Sequence, residues 1–98
     1  MKFTLELDPR AINDIQEAID YYDEQLIGLG EKFESHLNKY IKALAKNPFY
    51  QIRYDNVRCL PLDKFPFMIH FTVDEESKAV YIHSIINTSK DPKVYWIK

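Results

Sequence analysis

The sequence predicts an α+β domain: an N-terminal strand, then a two-helix antiparallel hairpin packed on one face of a mainly antiparallel sheet of about four or five strands. Two observations predict it. The hydrophobic period is two over residues 2–7, lengthens to three and four between residues 9 and 46, and returns to two from residue 57 onward. The chain's only two glycines, Gly28 and Gly30, fall at the boundary between the two helical stripes.

Phe3, Leu5 and Leu7 alternate with Lys2, Thr4 and Glu6, the pattern of a half-buried strand. Asp8 followed by Pro9 is a helix start. An aspartate oxygen can accept from the orphan N–H groups of the first turn, and proline has no N–H to lose there. Ile12, Ile15, Ala18, Ile19, Tyr22 and Leu26 recur at three and four, predicting an amphipathic helix over 9–26. Gly28 and Gly30 bracket a tight connection, because glycine takes positive φ without a Cβ clash. A second stripe, Phe33, Leu37, Tyr40, Ile41 and Leu44, predicts a helix over 30–46 that Asn47-Pro48 stops. So short a link makes the helices antiparallel neighbours. Residues 57–62 and 65–73 read as two strands turning near Asp63-Lys64, with 57–62 and 66–73 at the centre of the sheet. Asp74-Glu75-Glu76-Ser77 is a polar turn, and Ala79 to Ile86 is a further strand.

Composition narrows the function classes. With 98 residues the chain is expected to form one domain over 1–98, and 46% hydrophobic residues are enough for a core. Cys59 is the lone cysteine, which excludes an internal disulfide and a cysteine-based zinc cage and fits a reducing cytosol. No apolar run approaches the ~18 residues of a membrane span, and the acidic, alternating N-terminus is unlike a signal peptide. The expectation is a soluble cytoplasmic protein without a membrane partner. The net charge is −2, with −3 in residues 1–50 and +1 in residues 51–98. A protein that grips a polyanion usually carries a basic excess. DNA is therefore expected only indirectly, through a partner.

A few residues call for chemistry. Arg58 stands inside a hydrophobic strand. Projecting from the open sheet face, it would pair with a phosphate or with an acidic partner residue; alternatively it forms a salt bridge to a helix carboxylate such as Asp14 or Glu17. His70 and His83 lie on strands, where lone histidines are usually hydrogen-bonded structure, and His36 lies on a helix and reads as exposed. No pair has convincing metal-ligand spacing, so neither metal nor cofactor is expected. Cys59 has no positioned base nearby and reads as a small buried residue. Asp23-Glu24 and Glu75-Glu76 read as solvated charges. In the tail Lys93-Val94-Tyr95-Trp96-Ile97-Lys98, three consecutive apolar residues favour a lid over the sheet above display of Tyr95.

Six stretches in order resemble the RelE/ParE toxin superfamily over almost the full chain. They are Leu7-Asp8-Pro9-Arg10-Ala11 with Asp14-Ile15; Tyr21-Tyr22; Leu29-Gly30-Glu31-Lys32-Phe33; Asn47-Pro48; Val57 to Ile69; and Ile85 to Pro92. The Val57–Ile69 stretch is the most specific. The resemblance implies the toxin half of a type II toxin–antitoxin, plasmid-stabilisation module, silenced by a cognate antitoxin. Two kinds of action follow from it. RelE-like members are metal-independent, ribosome-dependent mRNA endoribonucleases, for which Arg58, Lys90 and Tyr95 would be catalytic. ParE-like members bind a protein target such as DNA gyrase, and Arg58, Lys90, Tyr95 and Trp96 would then contact antitoxin or target. Lys90 stands where the family pattern has arginine, and a point charge replaces a bidentate fork. Asn87 stands where many members carry histidine, and a neutral amide is no general base. Both departures favour the protein-binding reading over the nuclease, with a decayed toxin that keeps only antitoxin binding as a third.

Overall fold

The computed structural model of the chain describes residues 2–88. β1 (Thr4–Leu7) runs into α1 (Pro9–Gln25). Asp8 caps α1: its Oδ1 accepts from the Arg10 N–H at 2.8 Å, with Pro9 opening the helix. One of the N–H groups that a helix start leaves without a partner is thereby satisfied. α2 (Leu29–Lys46) follows a short turn in which Gly28 adopts φ +91°, a left-handed backbone that a Cβ disfavours.

Gly30 has a different role from the one its spacing suggests. It lies inside α2, and only Gly28 of the two glycines has positive φ. What Gly30 supplies is room. A Cβ there would sit 2.5 Å from the Ile19 carbonyl oxygen on α1, and the Gly30 N–H donates to Asp23 Oδ1 at 2.9 Å. The missing side chain lets the two helices meet backbone to backbone.

The remaining elements are β2 (Ile52–Tyr54), β3 (Val57–Pro61), β4 (Phe67–Asp74) and β5 (Ala79–Asn87), and the sheet order is β1-β5-β4-β3-β2. β1 pairs with β5 in parallel, from Thr4↔Ala79 to Leu7↔Ile82, while the other three pairings are antiparallel. The sheet is therefore mixed but mainly antiparallel, with β4 in the middle between β3 and β5. β2 is the strand that the sequence reading did not assign. It is three residues long, too short to display a period.

The helical stripes bury Phe33, Leu37, Ile41 and Leu44 of α2 and Ala11 and Ala18 of α1 against Leu60, Ile69, Phe71, Val80 and Ile82 of the sheet. Tyr22, Phe33, Phe65 and Phe67 form an aromatic knot with contacting ring centroids 5.1 to 6.1 Å apart. Each such ring removes ~150–250 Å² from water, so the knot is a principal tie between the hairpin and the β3–β4 connection. β5 carries one extra residue, His83. The register passes from His70↔Ser84 to Phe71↔Ile82, and Ile82 and Ile85, three apart, both reach the core. An unbroken strand would put residues an odd number apart on opposite faces.

Candidate functional site

β1 stops pairing at Leu7↔Ile82, whereas β5 continues to Asn87. Among the described residues the far half of β5 therefore has no strand on its outer side, and α1 packs alongside it instead. Asp14 reaches from α1 to accept the Ile85 N–H on Oδ2 at 3.0 Å, satisfying an edge donor that β1 leaves unpaired. Asp14 lies on the same stripe as Ala11 and Ala18, so an acid at core spacing was the available sign that this carboxylate has work inside the fold.

Between α1 and this end of the sheet runs a groove of about 520 Å³. Phe67, Ile85, Ile86 and Ala18 give it an apolar floor, and Arg10, Asp14, Glu17 and Asn87 a polar rim. Tyr21 flanks it with 54% of its surface exposed, while its neighbour Tyr22 is turned into the aromatic knot. An apolar floor with a mixed-charge rim can hold an amphipathic peptide segment.

Arg58 is placed elsewhere than on the open face of the sheet. Its cross-strand partner is Phe71, a fully buried core residue, so Arg58 shares the helix-side face of the sheet, not the open one. Nor does it pair with Asp14 or Glu17. Its Nη1 donates to the Tyr50 carbonyl oxygen at 2.6 Å, and its guanidinium lies 5.4 Å from the centroid of the Phe49 ring. The physical reason is the length of the arginine side chain, which lets a charge on a core-facing strand position reach the sheet edge, where a carbonyl and a ring face receive it.

Strand alternation puts Val57, Cys59 and Pro61 of β3, Met68, His70 and Thr72 of β4, and Ser84 and Ile86 of β5 on the face away from the helices. None of these is lysine or arginine. Cys59 is buried, and burial pushes its thiol above the ordinary value, which suits a packing residue more than a nucleophile. His70 is buried, with Nδ1 3.1 Å from the Tyr54 hydroxyl, and His83 Nε2 lies 2.8 Å from Thr72 Oγ1. Both histidines are held by hydrogen bonds. Burial, followed by the positive charges of His83 and Arg10, holds the His70 imidazole below its ordinary value.

His36 departs from expectation. Its side chain is only 13% exposed, and Nε2 lies 2.9 Å from Asp63 Oδ1. The two are near enough for an ion pair, though not aligned as a hydrogen bond. The ring packs on Tyr40 and Phe65, so the helix position faces the β3–β4 turn, not solvent. Hydrogen bonding from Tyr40, then the nearby His36, holds the Asp63 carboxyl below its ordinary value. Among the described residues no three of His, Cys, Asp and Glu are grouped to hold a metal, and no helix is long and apolar enough to cross a membrane. Lys90, Tyr95 and Trp96 lie outside the described residues.

No family model and no curated protein matches the chain. Solved structures do. A chain of the chromosomal ParDE TA system from P. aeruginosa superposes with a TM-score of 0.76 at 22% identity, covering 88% of this chain and 96% of that one. The isolated E. coli RelE toxin gives 0.67 at 16% identity, covering 95% and 90%. A chain of the intact E. coli RelBE toxin–antitoxin complex gives 0.66 at 17%, covering 85% and 93%. The chain has the fold of the RelE/ParE toxins.

Proposed function

We propose that the chain is the toxin of a type II toxin–antitoxin module, neutralised by a cognate antitoxin and acting by binding a protein target such as DNA gyrase in the manner of ParE. The observation that carries the toxin reading is the fold shared over 88% of the chain with a ParDE component. The placement of Arg58 favours binding over cleavage. A nuclease of this type would need cations aimed at the phosphate whose charge grows in the transition state. Arg58 is engaged by Tyr50 and Phe49, and although Arg10 of α1 borders the face away from the helices, the described positions of β3, β4 and β5 on that face hold no lysine or arginine. The groove beside α1, with its apolar floor and the exposed Tyr21, is the surface proposed to receive the antitoxin.

Two experiments test this reading. Induction of the chain without a partner should halt DNA replication before translation, and co-expression of an adjacent antitoxin should restore growth. Purified chain on translating ribosomes should leave mRNA intact. Reproducible cleavage that is lost on Arg58→Ala would establish the RelE-like activity instead. Growth unaffected by induction would point to a decayed toxin that keeps antitoxin binding alone.

A further inference from the structure

The bulge at His83 does more than re-register β5. On the face away from the helices it sits at one side of a cavity of about 390 Å³, lined among others by Arg10, Tyr54, His70, Thr72, His83 and Ser84. Its volume is near the lower end of the ~300–1,000 Å³ typical of small-ligand pockets. The described residues lining it include no Asp or Glu, although the chain as a whole is acidic. Asp14 and Glu17 instead line the separate groove beside α1, which Arg10 also lines, and Asp14 is engaged by the Ile85 N–H.

Two side chains in this cavity lack the partners that their chemistry calls for. His70 is 3% exposed, and its Nε2 is buried without a hydrogen-bond partner among the described residues. In the tautomer in which the Tyr54 hydroxyl donates to Nδ1, Nε2–H is a donor facing no acceptor. Buried polar atoms are rarely left so without a reason. Arg10, exposed in the first turn of α1, forms no ion pair with a carboxylate among the described residues. A guanidinium offers two parallel donors to an oxyanion, and hydroxyls and imidazoles can fill the remaining acceptor positions.

We propose that the cavity bounded by Arg10, Tyr54, His70, Thr72 and His83 is a binding site for a small oxyanion of the phosphate type, which shares Arg10 with the rim of the antitoxin groove but is otherwise lined by different residues. Arg10 supplies the fixed charge. His70 Nε2–H, released by a small ring rotation or by movement of Tyr54, supplies a second donor, and Thr72 or His83 a third. The site needs no basic surface around it, which is how an acidic protein can hold a single anion without gripping a polyanion.

The test is an NMR titration of the purified full-length chain with inorganic phosphate, following the imidazole resonances of His70 and His83, with sodium chloride at matched ionic strength as control and sodium acetate as a second arm. The expected result is a saturable shift of both histidines with phosphate, weakened at least tenfold in Arg10→Gln and largely retained in Arg10→Lys. Arg10 is exposed, so both variants should fold, which their circular dichroism spectra would verify. A response no different from sodium chloride would overturn the proposal, as would phosphate binding untouched by Arg10→Gln. Saturation by acetate but not by phosphate would overturn the phosphate assignment in favour of a carboxylate.

Discussion

Asp14 Oδ2 accepts the backbone N–H of Ile85 at 3.0 Å, joining residues 71 positions apart in the chain. The bond closes the sheet edge where β1 ends, and it fixes α1 against the half of β5 that borders the groove. Asp14→Ala leaves a partly buried N–H unpaired, at a cost of about 1–3 kcal/mol. For a domain of this size that corresponds to a fall in Tm of roughly 4–8 °C per kcal/mol. Asp14→Asn keeps an acceptor oxygen and should lose less than half as much. Urea unfolding of the two variants checks the order; equal stability of Asp14→Ala and wild type would show that the bond contributes nothing.

The two glycines should respond differently to alanine. At Gly28 the added Cβ meets nothing within 4 Å, so Gly28→Ala costs only the left-handed backbone, about 1–2 kcal/mol. At Gly30 it meets the Ile19 carbonyl oxygen at 2.5 Å, and the helices must separate. The expected loss is at least about 3 kcal/mol, at the upper end of overpacking costs, because the clash is with backbone. Chemical denaturation that ranked Gly28→Ala as the worse variant would contradict this account of the helix contact.

Stability should also depend on pH through His70. Its folded-state pKa lies below the ordinary 6.5, because burial and then the charges of His83 and Arg10 disfavour the imidazolium. Below pH 6.5 the unfolded chain therefore takes up a proton that the folded chain resists, and stability falls with falling pH until the folded-state value is reached. Above pH 6.5 both states are neutral at this position, and it contributes no slope. His70→Gln, which cannot titrate, should flatten the decline that sets in as the pH falls below 6.5. An unchanged slope would assign the decline to other groups.

Tyr21 provides a test of the antitoxin surface that does not involve stability. Its ring is 54% exposed at the edge of the groove, whereas Tyr22 packs in the aromatic knot. Exposed aromatic anchors concentrate binding energy, so Tyr21→Ala should weaken antitoxin binding by about 2 kcal/mol, roughly thirtyfold, with Tm within a few degrees of wild type. Tyr22→Ala should do the reverse, destabilising the fold first. Calorimetric titration with the antitoxin checks the first variant, and full affinity in Tyr21→Ala would move the interface elsewhere.

What the sequence by itself determined is everything that depends on neighbours along the chain. Asp8-Pro9 sets the start of α1, the three-and-four stripes give both helices, Gly28 marks the turn, and alternation gives β3, β4 and β5, because caps, helical faces and strand pleats follow spacings of one to four residues. The order of these elements gave the α+β class, and the resemblance of six stretches of the chain carried it to the RelE/ParE fold. Tertiary structure alone decided the rest. The parallel pairing of β1 with β5 joins the first strand to the last among the described residues, and no local period encodes which strand lies beside which. Arg58 looked ready for the open face, but alternation counted from Phe71 turned it to the helix side, where the Tyr50 carbonyl and the Phe49 ring received it. His36 looked like solvent-facing helix until the β3–β4 turn brought Asp63 over it. Gly30 was chosen for space between two helices, a requirement visible only when they pack. In each case the deciding contact is long in sequence and short in space, and only the folded chain brings its two sides together.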